Sequence, residues 1–449
     1  MRLLQAAALD GDPVRQLDRV LRIESGATDA EIREAAGVLR AAVDALTLDE
    51  LQRVVDGVES SGPMKALADA SLSASLLESR RRVTTFAIGA VLPFNGPPAL
   101  AEFSLRIAEG IEVAAATVLG EEFTVTVVSR DDEGDPRLTA QLVRELEAEG
   151  VAGVVGFLQD DILLAAAQAR EHVMPLVSPT ARSASRAGEA VYSLEGPDLA
   201  AAASVAHYAA SRAFQRVAMV YPQTPEATAE ADMFAEVAEA LGIRVVGRFP
   251  YEPGAMFFES QILAARDSLR LAEVTELALA EDETLHMEVL EPVALFLPIP
   301  PEDVEFLAPQ VVHFALDTLA IEILGTSGWT DAQTLQVIDA RHTTGVVATA
   351  PVGGEAGSEA FRRFQRAYEE YFQRSLVGST SSVGYDATLL LLEALRPGRI
   401  RPGDVKMAFE SLFGVEGATG VFSVVDASVV RLTEVVRIAN RVLIPVEVN

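Results

Sequence analysis

Two rhythms of apolar residues divide the chain near residue 82. Before that point, in stretches such as "DAEIREAAGVLRAAVDAL" and "LDELQRVVDGV", apolar residues recur three and four positions apart among Arg and Glu. That spacing places one apolar stripe on a helix. Thr28 and Asp29 suit the start of one helix and Thr47 that of another, because their side-chain oxygens can accept a first-turn amide. Gly62-Pro63 marks a break. Residues 1–82 are therefore expected to form a small all-α domain of helix pairs, tetratricopeptide-like but without a clean internal repeat. An array of that kind serves docking or spacing.

Beyond "SRRR" the pattern turns to apolar runs alternating with amphipathic stretches. "TTFAIGAVLPF" reads as a strand, and the next segment puts Phe103, Ile107, Ile111, Ala114 and Val118 on one helical stripe. Strand "FTVTVVS" follows, then a helix opened by Asp135-Pro136, lined by Leu138, Leu142 and Leu146 and stopped by Gly150. "VAGVVGF" and "VMPLVS" continue the series as runs apolar on both faces, the mark of a parallel sheet covered by helices. After "YSLEGPD" the alternation starts again with helix "LAAAASVAHYAASRAF", strand "RVAMVYP", a helix carrying Met233, Phe234, Val237 and Leu241 that stops at Gly242, and strand "IRVVGRF". "PVALFLP" and "AIEILG" read as further strands with helix "PEDVEFLAPQVVHFAL" between them. The fold class is α/β, in two lobes.

Polar loops follow two of the buried strands at close interval, "GFLQDD" and "SPT". In an open parallel sheet ligands bind beyond the carboxyl ends of the strands, so these loops are candidates for one rim. Each polar residue also has a local role open to it. Asp160 or Asp161 can cap the following helix, and Ser178 and Thr180 can shape the turn around Pro179.

Composition narrows the classes. The chain has 449 residues, enough for two or three domains, and 36 Lys and Arg against 66 Asp and Glu give a net charge of −30. Such a surface repels phosphate backbones and anionic lipid, so nucleic acid and membrane surfaces are not expected partners. The chain has no Cys, so disulfides, thiolate nucleophiles and cysteine metal sites are excluded. No apolar run is long enough for a membrane span, and "MRLLQAAALDGDP" is too brief for a secretory core, which leaves a cytosolic chain or one whose leader has been removed. No phosphate loop, nucleophile elbow or zincin helix is found, and His172, His207, His286, His313 and His342 stand at no ligand spacing. No enzyme activity, metal or cofactor is expected. Trp329, the single Trp, can stack on a ligand or pack beside its turn in "GTSGW".

In their order along the chain, "IGAVLPFNGP", "SRDDEGDPRLTAQLVRELEAEGVAGVVG", "MPLVSPTA", "YSLEGPD", "RVAMVYP", "YDATLLLLEAL" and "FGVEGATGVFSVVD" resemble the type I periplasmic binding proteins of the Leu/Ile/Val-binding class. "ALFLPIPPEDVEFLAPQV" with "ILGTSGW" resembles more particularly the branch with a helical domain in front, which includes lipoprotein activators of penicillin-binding proteins. The resemblance implies two α/β lobes, residues 83–196 with 346–420 and residues 197–345 with 421–449, that close on a small polar ligand by hinge motion.

It also implies site residues. Amino-acid binders hold the ligand carboxylate with hydroxyls and amides after the third and fourth strands. Ser178, Thr180 and the amide of Ala181 keep that pattern, whereas Gln159, Asp160 and Asp161 stand where hydroxyls are expected. Asn95, beyond the first strand, completes this side. In the second lobe Thr224 and Glu226 replace an expected aromatic, and Thr326 and Ser327 an expected acid. Two functions follow from the resemblance. One is an extracytoplasmic receptor of an ABC-type transporter, working with a membrane permease on a small polar, amino-acid-like ligand. The alternative is a regulatory protein of the cell envelope whose partner is a peptidoglycan synthase. Either implies a periplasmic or lipid-anchored location.

Overall fold

The structure is a computed structural model and describes residues 12–22, 29–46, 48–58, 63–79, 83–278, 292–314, 321–354 and 357–447. Thr28, Thr47, Gly62, the arginines at 80–82 and His286 lie outside the described residues. Two compact units are present, Met1–Gly196 with Gly353–Val429 and Pro197–Val352 with Val430–Asn449.

The first unit begins with helices α1 (Pro13–Leu21), α2 (Asp29–Ala45), α3 (Leu48–Asp56) and α4 (Pro63–Ser79). Asp12 caps α1 by accepting the Val14 amide at 3.0 Å, with Pro13 at the first helical position where its missing amide costs nothing. Leu17, Leu39, Leu51, Val55 and Met64 are buried together in a core of their own. This cluster touches the rest of the unit through Arg401, whose guanidinium donates to the Val43 carbonyl.

A parallel five-stranded sheet follows, made of β1 (Thr85–Leu92), β2 (Thr124–Asp131), β3 (Val154–Gly156), β4 (Leu176–Ser178) and β5 (Val191–Ser193) in the order β2-β1-β3-β4-β5. Helices α5 (Pro98–Thr117), α6 (Pro136–Ala148), α7 (Asp160–Ala169) and α8 (Ala184–Ala187) alternate with the strands. Ile107, Ile111 and Ala114 of the expected stripe are fully buried, with Phe103 and Val118 packed at its edges. Asp135 caps α6 by accepting the Arg137 amide at 2.8 Å, and Gly150 stops it at φ +76°. Gly156 ends β3 at φ +140°, where a Cβ would stand 2.0 Å from the Val91 carbonyl oxygen. Only glycine fits this close approach beside the rim.

The second unit repeats the plan. Helices α9 (Leu199–Ser211), α10 (Pro225–Ala240), α11 (Glu259–Ala278), α12 (Pro301–His313) and α13 (Ala332–Val337) pack around strands β6 (Arg216–Pro222), β7 (Arg244–Tyr251), β8 (Val293–Leu297), β9 (Ile321–Gly325) and β10 (Val347–Pro351). Three short strands, β11 (Val415–Glu416), β12 (Val421–Val425) and β13 (Ser428–Arg431), make a small sheet of their own. The chain ends with β14 (Thr433–Ala439) and β15 (Val442–Pro445), giving a sheet in the order β15-β14-β10-β9-β8-β6-β7. β14 is antiparallel to β10 and to β15, while the other pairs are parallel. Asn440 and Arg441, at φ +49° and +69°, turn the closing hairpin with the left-handed backbone that matches strand twist.

Helices α14 (Glu359–Phe372), α15 (Thr380–Leu395) and α16 (Pro402–Glu410) return to the first unit. α15 lies directly against α5. A Cβ on Gly110 would stand 1.9 Å from the Ser381 carbonyl oxygen, and one on Gly384 2.3 Å from that of Ile107. Two facing glycines thus let the helix backbones touch.

Candidate functional site

Both sheets reverse their winding at one place. In the first unit neighbouring β1 and β3 send their following connections to opposite sides, and in the second β6 and β8 do so. A crevice opens at such a switch point, beyond the carboxyl ends of the strands. Asn95 stands on the loop after β1, Gln159 on the loop after β3 with Asp160 and Asp161 in the first turn of α7, and Thr224 and Glu226 on the segment after β6. Ser178 ends β4 with Thr180 and Ala181 just beyond it, and Thr326 and Ser327 follow β9, so these are one or two strands further along the same edges.

On the first unit the loop side chains hold each other. Asp131, at the end of β2, accepts the Phe94 amide at 2.9 Å, the Glu133 amide at 3.0 Å and the Asn95 side-chain amide at 2.5 Å. Asn95 is therefore fastened to a carboxylate that sequence reading missed. The two adjacent acids in "SRDDEGDP" were its only signal. Asp132 beside it is buried, which pushes its carboxyl above the ordinary range, while the Gly134 amide and the Thr139 hydroxyl donate to it and pull the other way.

Asp160 begins α7 but turns to the neighbouring loop rather than capping its own helix. Its Oδ1 accepts the Arg182 amide at 2.7 Å and the Ser183 amide at 2.8 Å, and its carbonyl accepts the Ser183 hydroxyl at 3.2 Å. Asp161 is exposed and accepts the amide of Ile162 at 3.0 Å. Gln159 is exposed at the N-cap position without a side-chain capping bond.

Ser178 has 0% exposure; its hydroxyl donates to the Phe157 carbonyl at 2.9 Å and accepts the Thr180 and Ala181 amides at 3.2 and 2.9 Å. Thr180 donates to the Leu158 carbonyl at 2.8 Å, and the Ala181 carbonyl accepts the Ser193 hydroxyl. The donors that the resemblance assigns to a ligand carboxylate are thus engaged in tying the loops after β3, β4 and β5 together. Thr180 is half-buried, and its hydroxyl oxygen, having donated, can still accept.

In the second unit Thr224 caps α10, its hydroxyl accepting the Ala227 amide at 3.2 Å, and Glu226 occupies the first turn. Negative charge is favoured there by the helix dipole. Thr326 is buried and Ser327 half-buried at the start of a 3-10 turn, Ser327–Thr330. Trp329 in that turn is fully buried and donates Nε1 to the Leu297 carbonyl at 3.0 Å, so its role is packing. Tyr251, ending β7, donates to Asp303 at the start of α12 at 2.5 Å. Burial and that carboxylate hold the Tyr251 phenol well above its usual range. Among the described residues no group of three or more His, Asp or Glu gathers as a metal ion would require.

A sequence profile described as periplasmic binding protein matches residues 85–440. The chain belongs to the periplasmic binding protein family. No curated protein matches the sequence. Among solved structures, a Rhodospirillum rubrum protein described as a branched-chain amino acid ABC transporter superposes with TM-score 0.63 at 18% identity, covering 81% of this chain and 100% of its own. A leucine-binding protein from Thermotoga maritima gives 0.54 at 19%, over 81% and 98%. A solute-binding protein of an ABC transporter from Rhodopseudomonas palustris, in complex with 3,4-dihydroxybenzoic acid, gives 0.54 at 20%, over 79% and 93%. At these identities the likeness establishes the two-lobed periplasmic-binding fold and leaves the ligand to this family member's own residues. No described helix is long and apolar enough to cross a membrane.

Proposed function

We propose that this periplasmic binding protein is the non-enzymatic, extracytoplasmic receptor of an ABC-type transporter. It takes a small polar ligand at the carboxyl-edge loops of its sheets and delivers it to a membrane permease. The proposed ligand residues are Asn95, Gln159, Asp160, Asp161 and Thr180 in the first unit and Thr224, Glu226, Thr326 and Ser327 in the second. Ser178 and Ala181 support the loop that carries Thr180.

One observation carries the ligand class. The hydroxyl of Ser178 and the amide of Ala181 are bonded to each other, while Asp131, Glu133, Asp160 and Asp161 crowd the same edge. A ligand carboxylate there meets like charge and few free donors, so the site favours neutral or cationic groups at that end. The relatives named above are transporter components and lend no support to the envelope-regulator alternative.

Calorimetry with free Leu, Ile and Val, their uncharged amide derivatives and simple diamines tests the reading. Saturable binding among the amides or diamines, with none for the free acids, is expected. Micromolar binding of free Leu or Val to the unaltered protein overturns the ligand class. Absence of binding across a broad polar library overturns the receptor role.

A further inference from the structure

The second unit also has a cavity at the opposite edge of its sheet from the loops just described. A cavity of about 460 Å³ opens there beside the amino ends of β6, β8, β9 and β10. Pockets of this size hold small organic ligands. Five-residue strands such as β8 separate it from the carboxyl edge by about 16 Å at a rise of 3.3 Å per residue. It therefore shares no residue with the proposed transport site.

Its lining is cationic in a chain of net charge −30. Arg212, Arg341, His342 and Arg437 face it, with Glu322 as the one carboxylate. Glu322 is already engaged, accepting from Arg437 and from the Tyr208 hydroxyl at 3.1 Å. Arg437 in turn donates to the Gly345 carbonyl at 3.1 Å, which fixes this pair as part of the wall. Arg212 has no ion-pair partner among the described residues. Arg341 pairs with Asp339 at 2.9 Å, but its side chain is 75% exposed, and a surface pair of that kind is weak enough to yield to a ligand. Phe214, Pro292 and Ile323 add apolar surface to the same lining.

We propose that this cavity binds a small anion, a carboxylate or a phosphate, held by Arg212 and Arg341 with His342 beside them. The guanidinium fork matches both groups in shape and donor spacing.

Inorganic phosphate and succinate, titrated into the full chain at constant ionic strength, provide the test, read by the imidazole NMR signals of the chain's five His. Expected is a saturable shift confined to His342, weakened at least ten-fold in an Arg212→Gln/Arg341→Gln variant and unchanged in Arg363→Gln on the other unit. Should the double variant fail to fold by circular dichroism, Arg341→Gln alone, at its exposed position, must still weaken the shift. Shifts that rise linearly with either anion, spread over all His, or survive the Arg substitutions overturn the proposal.

Discussion

Replacing Asp160 with Ala tests whether this carboxylate is a loop clasp. The change removes the acceptor of two backbone amides, Arg182 at 2.7 Å and Ser183 at 2.8 Å. Hydrogen bonds to a charged group contribute about 1.5–3 kcal/mol each when buried. Arg182 lies at the surface, where water replaces its lost partner, whereas Ser183 has 0% exposure and its amide finds no equivalent. The expected loss is therefore about 2 kcal/mol, most of it from Ser183, or about 4–8 °C in melting temperature for units of this size. Asp161→Ala, which loses one bond at an exposed position, should cost under about 0.5 kcal/mol. Urea unfolding measures both, and hydrogen exchange should show the Arg182 and Ser183 amides opening faster in Asp160→Ala alone. If the two variants are equally stable, or those amides stay protected, the clasp is not what holds the loop.

Other expectations follow from the same contacts. Gly110→Val drives a side chain into the Ser381 carbonyl at 1.9 Å, so α5 and α15 must part, at a cost of about 1–3 kcal/mol or more, measured by thermal melting. Burial pushes the Tyr385 phenol up to about 12, and Tyr192 and Tyr251 are raised further. Because these folded values exceed the unfolded value of about 10, their stabilisation is complete below pH 10; that of Tyr385 is lost as the pH climbs through about 12, and that of Tyr192 and Tyr251 at higher pH still. Phenolate absorbance at pH about 11 should therefore show these three of the seven tyrosines still protonated until the protein unfolds. A chain beginning at Val83 should fold, because helices α1–α4 bury their apolar residues in a separate cluster. Limited proteolysis should yield that fragment, and an unfolded product would contradict it.

Local signals carried much of this into the sequence. Asp135-Pro136 and Gly150 announced the two ends of α6, and the runs around Val154 and Leu176 announced buried strands, because capping and periodicity act within a few residues. The rim chemistry was harder to read. Nothing near Asp160 indicates that its carboxylate serves amides 22 and 23 residues away, or that Ser178 faces inward to Phe157. Both depend on strands β3 and β4 lying side by side. β14 and β15 were also missed, although "IANRV" holds a turn-forming Asn between alternating apolar positions.

That last hairpin bears on how the protein is made. β14 pairs along the whole of β10, yet the residues of α14–α16 and the small sheet β11–β13 come between them in the chain. At synthesis rates of about 5–20 residues per second, roughly 4–18 s separate completion of β10 from that of β14. Throughout that interval β10 has an open edge, and helices α14–α16 of the first unit are made within it. The segment that completes the first unit is made only after most of the second, so the two units cannot fold strictly one after the other. Until β14 covers it, the open edge of β10 is a place where another strand can pair wrongly.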